Sequence, residues 1–253
     1  MTDLSGRTTI VVGASRGLGR GIATAFAEAG APVVAVSRTA GAFPEPAIGA
    51  GTGAGTIQPE VADAGDATVA ASLLDRYQPQ AVILVAGATP HMRPLHQQTW
   101  ETFSVNWETD VRIAFHWLRE ALLTPLRPGS RVVVVSSGVV ANPNGSPLSG
   151  GYAGAKTTQR LITGYAQEEA LRAGLDITFT TVLPGFAPET GVGRPAVQAY
   201  AARFGQSVDE YLGSDPMLTP AQAGSALVDL VQTDVADLAA AYVLPGAGIK
   251  ALP

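Results

Sequence analysis

The stretch from Ile10 to Gly19 constrains the fold of this chain more strongly than any other. Three β-branched residues end abruptly at Gly13, and more glycines follow at Gly17 and Gly19. Apolar residues then recur at helical spacing: Ile22, Ala23, Phe26 and Ala27. This order predicts a strand, a glycine turn and a helix. Such a turn lets the backbone approach a pyrophosphate, which the free amides and the positive dipole end of the helix attract, although the glycines could also serve the turn alone.

The end of the second predicted strand indicates which dinucleotide would bind. Where this strand faces the adenosine ribose, about 20 residues beyond the glycine turn, NAD-binding proteins place an acidic side chain. This chain instead has Ser37 and Arg38 after Val36, and Arg16 lies inside the turn. Two guanidinium groups and a hydroxyl favour a 2'-phosphate, so the pattern predicts NADP(H). The alternative is that both arginines are solvated surface charges.

Composition excludes several classes of protein. The chain has 253 residues, 46% of them hydrophobic, which is typical of one large α/β domain. Its formal net charge of −5 argues against nucleic acid or an anionic membrane as a partner. It has no cysteine, and its three histidines lack the spacing of a zinc site, so we predict no metal. Without an apolar leader or a run of membrane-spanning length, we expect a cytoplasmic protein.

Strands and helices alternate along the rest of the chain, which predicts a doubly wound parallel sheet covered on both faces. Further strands are predicted at 55–61, 81–87, 131–137, 176–183 and 241–244. Helices are predicted from Asp63 or Asp66, over 100–122, from Tyr152, at the capping box of Ser207 and Glu210, and at Thr219. The segment 41–55 is rich in glycine and proline, so we predict a loop there in place of a crossover helix.

Three features near the predicted ligand edge have both a chemical and a structural interpretation. Ser136 and Ser137 end a strand and could cap a turn or contact a substrate. Tyr152 and Lys156 share one helical face, although such a pair is more often a surface lysine beside a half-buried tyrosine. Asn106 interrupts the long amphipathic helix and is functional, marks a local bulge, or is simply tolerated.

In this order and at these separations, the glycine turn, the serine pair, Tyr152-x-x-x-Lys156 and Pro184-Gly185 resemble the short-chain dehydrogenase/reductase family. The resemblance covers nearly the whole chain. It implies a single Rossmann domain over residues 1–253, with a seven-stranded parallel sheet and a substrate lid at about 186–216. It further implies an NADPH-dependent carbonyl reductase, reversible as an alcohol dehydrogenase, that forms a homodimer or homotetramer.

The resemblance also implies a role for individual residues. Tyr152 would be the acid/base, Lys156 its partner and a ligand of the nicotinamide ribose, and Ser137 the group that polarises the carbonyl. Asn106 would support a proton-relay water. A free tyrosine has a pKa of about 10, which Lys156 and an oxidised nicotinamide should lower. Together with the arginine argument, the cofactor site comprises Gly13, Ser15, Arg16, Gly17, Leu18, Gly19, Ser37, Arg38, Glu60, Val61, Ala86, Gly87, Tyr152, Lys156, Pro184, Gly185 and Phe186.

The chain departs from the family pattern at several positions. Val12 replaces a usual threonine, Val85 a usual asparagine, and Glu60 an aspartate that usually contacts adenine. The separation of Ser137 and Tyr152 is longer than is common, which implies a longer substrate loop. Thr190 lies one place later than the threonine that usually binds the carboxamide.

Other functions and the substrate stay open at this point. A regulatory protein that senses NADP without turnover is the main alternative, and chain length disfavours a nucleotide-sugar epimerase or dehydratase. An apolar lid could meet the substrate or simply pack: Val197, Tyr200, Ala201, Phe204, Tyr211 and Leu212. His91, Arg93 and Arg194 could meet an anionic substrate or be solvated. Trp107, Phe115 and Trp117 could pack against a second subunit.

Overall fold

A central parallel sheet organises the computed structural model, which describes residues 3–41, 43, 55–214 and 216–252. The parallel strands lie in the order β3-β2-β1-β4-β5-β6-β7. They are β1 (Thr9–Val12), β2 (Val33–Ser37), β3 (Ile57–Val61), β4 (Ala81–Leu84), β5 (Ser130–Val135), β6 (Ile177–Pro184) and β7 (Ala241–Leu244). This confirms the predicted doubly wound α/β fold. Most of the predicted 41–55 loop lies outside the described residues.

The described sheet has one strand more than the predicted seven. After β7 the chain reverses through a turn in which Gly248, at φ +111°, donates its backbone N–H to the Pro245 carbonyl. A two-residue strand, β8 (Lys250–Ala251), then pairs antiparallel with β7. A two-residue return carries no periodic pattern, so the sequence could not indicate it.

Helices cover both faces of the sheet. They are α1 (Gly17–Glu28), α2 (Ala67–Tyr77), α3 (Trp100–Asn106), α4 (Arg112–Leu123), α5 (Gly150–Arg172), α6 (Gly193–Phe204), α7 (Val208–Leu212) and α8 (Pro220–Gln232). On one face α1 and α8 enclose a core that includes Phe26 and Leu227. On the other face α2, α4 and α5 enclose a core that includes Leu74 and Trp117. In the described part of the chain, no helix combines the length and apolarity that crossing a membrane requires.

Trp117 belongs to the core and is not a subunit contact. Its side chain is only 1% exposed, and its indole N–H donates to the Ala64 carbonyl at 3.2 Å. The helical spacing of the aromatic residues was a correct indication of a helix. It could not show that this tryptophan points toward the sheet, while Trp107 and Phe115 are partly exposed.

The predicted long helix over 100–122 is divided by a π-helical turn at Trp107–Val111, directly after Asn106. Of the interpretations of Asn106, the local bulge is therefore confirmed. A π-helical turn adds a residue to the helix and commonly marks a functional site. Here it faces the carboxyl ends of the central strands, where open α/β sheets bind ligands.

Candidate active site

The glycine turn after β1 leaves no room for side chains at its closest contacts. Gly13 and Gly17 have φ of +96° and +54°, which favours glycine. A Cβ on Gly13 would lie 2.6 Å from the Ala86 backbone, and one on Gly19 would lie 2.1 Å from the Gly13 carbonyl oxygen. Because α1 begins here without an acid in its first turn, its amides are free to receive an anion.

A cleft of about 1300 Å³ opens at the carboxyl ends of the strands, beside this turn. That is room for a dinucleotide and a second molecule. Most of the residues predicted for the site line it: Gly13, Ser15, Arg16, Gly17, Leu18, Gly19, Ser37, Arg38, Ala86, Gly87, Ser137, Tyr152, Lys156, Pro184, Gly185 and Phe186.

The two arginines of the phosphate argument are both exposed and both line this cleft. Neither Arg16 nor Arg38 forms an ion pair with a described residue. The Ser37 hydroxyl donates to the Thr39 carbonyl at 2.7 Å and so helps to shape the turn that carries Arg38. These residues fit a dinucleotide with an additional phosphate on its adenosine ribose.

Glu60 and Val61 do not line the cleft, contrary to the prediction. The Glu60 carboxylate accepts from the Tyr77 hydroxyl at 2.7 Å and pairs with Arg76 at 3.4 Å. The hydrogen bond to this carboxylate raises the pKa of Tyr77 above its ordinary value. The cleft wall is formed one step later, by Ala62, Asp63 and Ala64. The sequence could not show this, because the longer glutamate side chain reaches α2, and Tyr77 is distant along the chain.

The two serines at the end of β5 have different roles. The buried Ser136 hydroxyl donates to the Lys156 carbonyl at 2.8 Å and so ties α5 to the sheet. Both serines line the cleft, and the Ser137 hydroxyl accepts weakly from the Val139 N–H at 3.3 Å, which leaves its own proton available. Of the two serines, Ser137 is therefore the one whose hydroxyl proton is not already donated to a described residue.

Tyr152 and Lys156, one turn apart on α5, both line the cleft. The Lys156 ammonium lies 5.6 Å from the centroid of the Tyr152 ring. Burial would by itself lower the pKa of Lys156, but the Asp110 carboxylate and the Tyr152 side chain oppose this, and the pKa stands above its ordinary value. The lysine is therefore held positively charged beside the tyrosine.

Asp110 is a residue of the site that the sequence analysis missed. It lies in the π-helical turn, is fully buried, and its carboxylate is 3.0 Å from the Lys156 ammonium. It also accepts from the Ala88 N–H at 2.8 Å. The available signal was its position four residues after Asn106, which places a second polar group on the buried side of an otherwise apolar helical pattern.

Asn106 is buried next to this pair. Its amide donates to the Ala88 carbonyl at 2.8 Å and contacts both Asp110 carboxylate oxygens at 3.3 Å. The amide oxygen is buried and has no hydrogen-bond partner among the described residues. Buried polar atoms are seldom left unpaired, and a bound water commonly satisfies them.

Four aromatic side chains also line the cleft. Tyr211 stacks near-parallel with Tyr200 and Phe204, and the edge of Phe186 meets it at 6.1 Å between ring centroids. The Tyr200 hydroxyl bonds to the Ser146 hydroxyl at 2.7 Å, which joins α6 to the loop before α5. By contrast, the predicted lid residues Val197 and Ala201 are buried packing residues.

The cations considered for an anionic substrate do not line the cleft. His91, Arg93 and Arg194 are exposed and lie outside its wall. Within the described ranges, no cluster of three histidine, aspartate or glutamate side chains could hold a metal ion.

Comparisons with known proteins agree with this geometry. The profile of the family described as short chain dehydrogenase matches residues 7–201. A short-chain type dehydrogenase/reductase of Picea abies is 33% identical over 197 residues, covering 72% of this chain and 71% of that protein. A hydroxynaphthalene reductase-like protein Arp2 of Metarhizium majus is 28% identical over 189 residues, covering 72% and 69%. A short chain dehydrogenase structure from Mycobacterium avium superimposes with a TM-score of 0.74 at 21% identity, covering 100% and 86%.

Proposed function

Because the chain belongs to the short-chain dehydrogenase/reductase family of oxidoreductases, we propose that it is an NADPH-dependent carbonyl reductase, reversible as an alcohol dehydrogenase. The observation that carries this proposal is the presence of Ser137, Tyr152 and Lys156 in one cleft with the glycine turn. These side chains supply a hydrogen bond, a proton and a positive charge beside a dinucleotide cradle.

The proposed mechanism assigns a separate task to each side chain. The bound nicotinamide would supply the hydride that reduces the carbonyl carbon. Tyr152 gives its proton to the carbonyl oxygen, where negative charge develops, and Ser137 donates a hydrogen bond to the same oxygen. The charged Lys156 stabilises the tyrosinate that remains, since opposite charges within a few ångströms favour the ionised form. Asn106 holds a water through which a proton returns, by way of Lys156, to the Tyr152 tyrosinate.

The preference for NADPH rests on Arg16 and Arg38. Both line the cleft, both are exposed, and neither is ion-paired with a described residue. A 2'-phosphate would pair with guanidinium groups bidentately, whereas an NAD ribose would leave them without an anion.

We further propose that the substrate is an uncharged ketone that carries a ring. The aromatic wall of Phe186, Tyr200, Phe204 and Tyr211 presents ring faces and edges to a flat apolar group. Phe186 and Phe204 are 45% and 62% exposed although they line the cleft, so apolar area is available to cover. The name of the Metarhizium relative refers to a bicyclic aromatic compound, which is a ring compound of the class proposed here as substrate.

The proposal includes an assembly and a location. The exposed apolar residues of α4 and α5 support a homodimer or homotetramer, and a cysteine-free composition is compatible with the cytoplasm.

The deciding experiment follows the oxidation of NADPH and NADH by the purified protein. The carbonyls offered are 1-tetralone, an acyclic aliphatic ketone and an α-keto acid. We expect turnover with NADPH, fastest with the bicyclic ketone and slowest with the acid. Tyr152→Phe should lower kcat at least about 100-fold, because the proton donor is removed. Tyr165→Phe, at an exposed tyrosine on the same helix, is the matched control and should keep its activity.

Two outcomes would contradict the proposal. Tight NADPH binding without turnover of any carbonyl would favour the NADP-sensing alternative, since binding needs the cradle and the arginines but not Tyr152. Preference for the keto acid would overturn the uncharged ring substrate while leaving the reductase activity intact.

A further inference from the structure

A buried carboxylate touches the proposed catalytic lysine and has no part in the mechanism described so far. Asp110 is 0% exposed and Lys156 is 4% exposed, so the ion pair between them is shielded from water. Breaking such a pair by removing one partner is costly, because the other charge stays buried alone. A role for this buried ion pair in the function of the site is therefore worth testing.

The pair belongs to a closed network in which the described groups hold both charges in place. The carboxylate accepts from the Ala88 N–H and from the Asn106 amide. The ammonium donates to the Gln159 side-chain oxygen at 3.0 Å, and the Gln159 amide donates to the Asp110 backbone carbonyl at 2.9 Å. An ammonium has three protons, and two are directed to Asp110 and Gln159, so one remains for the cleft that Lys156 lines.

The direction of the lysine therefore depends on Asp110. Ala88 follows the end of β4, so the carboxylate is anchored to the sheet. Gly87 is also adjacent, since a Cβ there would lie 2.7 Å from an Asp110 carboxylate oxygen. The Asp110 carboxylate can thus occupy this position only because residue 87 has no side chain. The titratable side chains that face the ammonium are Asp110, from the π-helical turn, and Tyr152, from α5 itself.

We propose that Asp110 is a positioning residue for the reductase reaction, which holds the Lys156 ammonium charged and directed toward the cleft. This inference rests on the proposed function, because Lys156 is taken to act on Tyr152 and on the cofactor. Asp110 acts through the lysine and touches neither the carbonyl nor the hydride.

The main test is Asp110→Asn, which keeps the shape of the side chain and removes its charge. We expect kcat for NADPH-dependent reduction to fall about 10- to 100-fold, as for other misplacements of catalytic groups. The KM for NADPH should change less. Because the buried lysine then loses its counter-charge, its pKa falls. The alkaline limb of the pH–activity profile should therefore shift to lower pH than in the wild type. The control is Glu120→Gln, which removes the charge of a buried, ion-paired carboxylate on α4 that does not line the cleft. It should change neither kcat nor the alkaline limb of the pH profile.

A double-mutant cycle separates positioning from a merely structural role. In the background of Lys156→Gln, the Asp110→Asn change should have almost no further effect on kcat, because its effect passes through the lysine. If the single variant folds poorly, the double variant should recover stability, since it leaves no unpaired buried charge.

A measurement without turnover keeps this inference distinguishable from the proposed function. In Asp110→Asn, a depressed Lys156 pKa means that the folded state binds fewer protons than the unfolded chain. The urea concentration at the unfolding midpoint should therefore be lower in Asp110→Asn than in the wild type, and this difference should be larger at about pH 7 than at about pH 10.

The results that overturn the inference are explicit. An unchanged alkaline limb of the pH profile with kcat within a factor of two of wild type would overturn it. A stability deficit that does not vary with pH would also do so. If the wild type reduces no carbonyl but the pH-dependent deficit is found, the ion pair is upheld and only the reductase function fails.

Discussion

At the scale of single residues, the carboxyl end of β2 shows how one side chain can set cofactor choice. Arg38 follows the strand directly, lines the cleft and is exposed, and Arg16, within the glycine turn, also lines the cleft and is exposed. Neither guanidinium has a described acidic partner that a phosphate would have to displace. The contribution of each arginine is therefore expected to appear only with the cofactor that carries the additional phosphate.

Arg38→Ala should raise the KM for NADPH about 10- to 100-fold, the usual worth of a hydrogen bond to a charged group. The KM for NADH should change little, because NADH has no phosphate at that position. The measurement is the ratio of kcat/KM for the two cofactors in the variant and the wild type. Arg7→Ala, at an exposed arginine before β1 and outside the cleft wall, is the control. An equal loss with both cofactors would contradict the role in phosphate binding.

At the scale of elements, close backbone contacts determine where α1 can begin and what it can pack against. Its start is fixed by Gly19, which lies against the Gly13 carbonyl. Its body packs on α8, where a Cβ on Gly21 would lie 2.3 Å from the Pro220 carbonyl oxygen. Such contacts exclude side chains regardless of their chemistry. Elsewhere, as at Gly164 on the exposed side of α5, there is nothing within 4 Å of an added Cβ.

Gly19→Ala and Gly164→Ala should therefore have opposite effects on stability. At Gly19 the methyl group would force the turn open, which should cost about 1–3 kcal/mol and weaken NADPH binding. At Gly164 the alanine meets no other atom of its own chain and lowers the entropy of the unfolded chain, so it should stabilise by about 0.5–1 kcal/mol. Urea unfolding of both variants, with NADPH titration of the first, measures these effects. Equal destabilisation by the two substitutions would refute the steric argument.

At the scale of the whole molecule, apolar side chains remain exposed on the outer surfaces of two neighbouring helices. α4 and α5 pack together, and Phe115 and Leu161 on them are each 52% exposed. Leu123, Tyr165 and Leu171 on the same helices are 58–69% exposed. Soluble monomers seldom leave large contiguous apolar patches uncovered. We therefore expect a second copy of the chain to cover this face in solution.

Sedimentation of the wild type should give the mass of a dimer or tetramer. The double substitution Phe115→Glu and Leu161→Glu should shift the protein toward monomer, because it would bury like charges in the interface. Leu95→Glu, at a leucine that is 73% exposed in the short turn at Leu95–Gln97, is the control and should leave the mass unchanged. A wild type that sediments as a monomer would refute this expectation.

Much of the fold could be predicted because its signals are local. β-Branched runs indicated the strands. The predicted helix starts at Asp66, Ser207 and Thr219 proved to be N-caps with the expected hydrogen bonds. The glycine turn was predictable for the same reason, since tight turns need particular residues at particular positions. Order along the chain then sufficed to expect a doubly wound sheet with its cleft at the carboxyl ends of the strands.

The tertiary structure decided the features that depend on partners distant in sequence. Glu60 turned away from the cleft because Tyr77 and Arg76 of α2 were within its reach. Trp117 proved to be a core residue, which packs among apolar side chains and donates its indole N–H to the Ala64 carbonyl. The link between Asp110 and the candidate catalytic groups is its ion pair with Lys156, a residue on another helix. A sequence records which groups are present and how they are spaced; which charge meets which, and whether water is excluded between them, is determined when the chain packs.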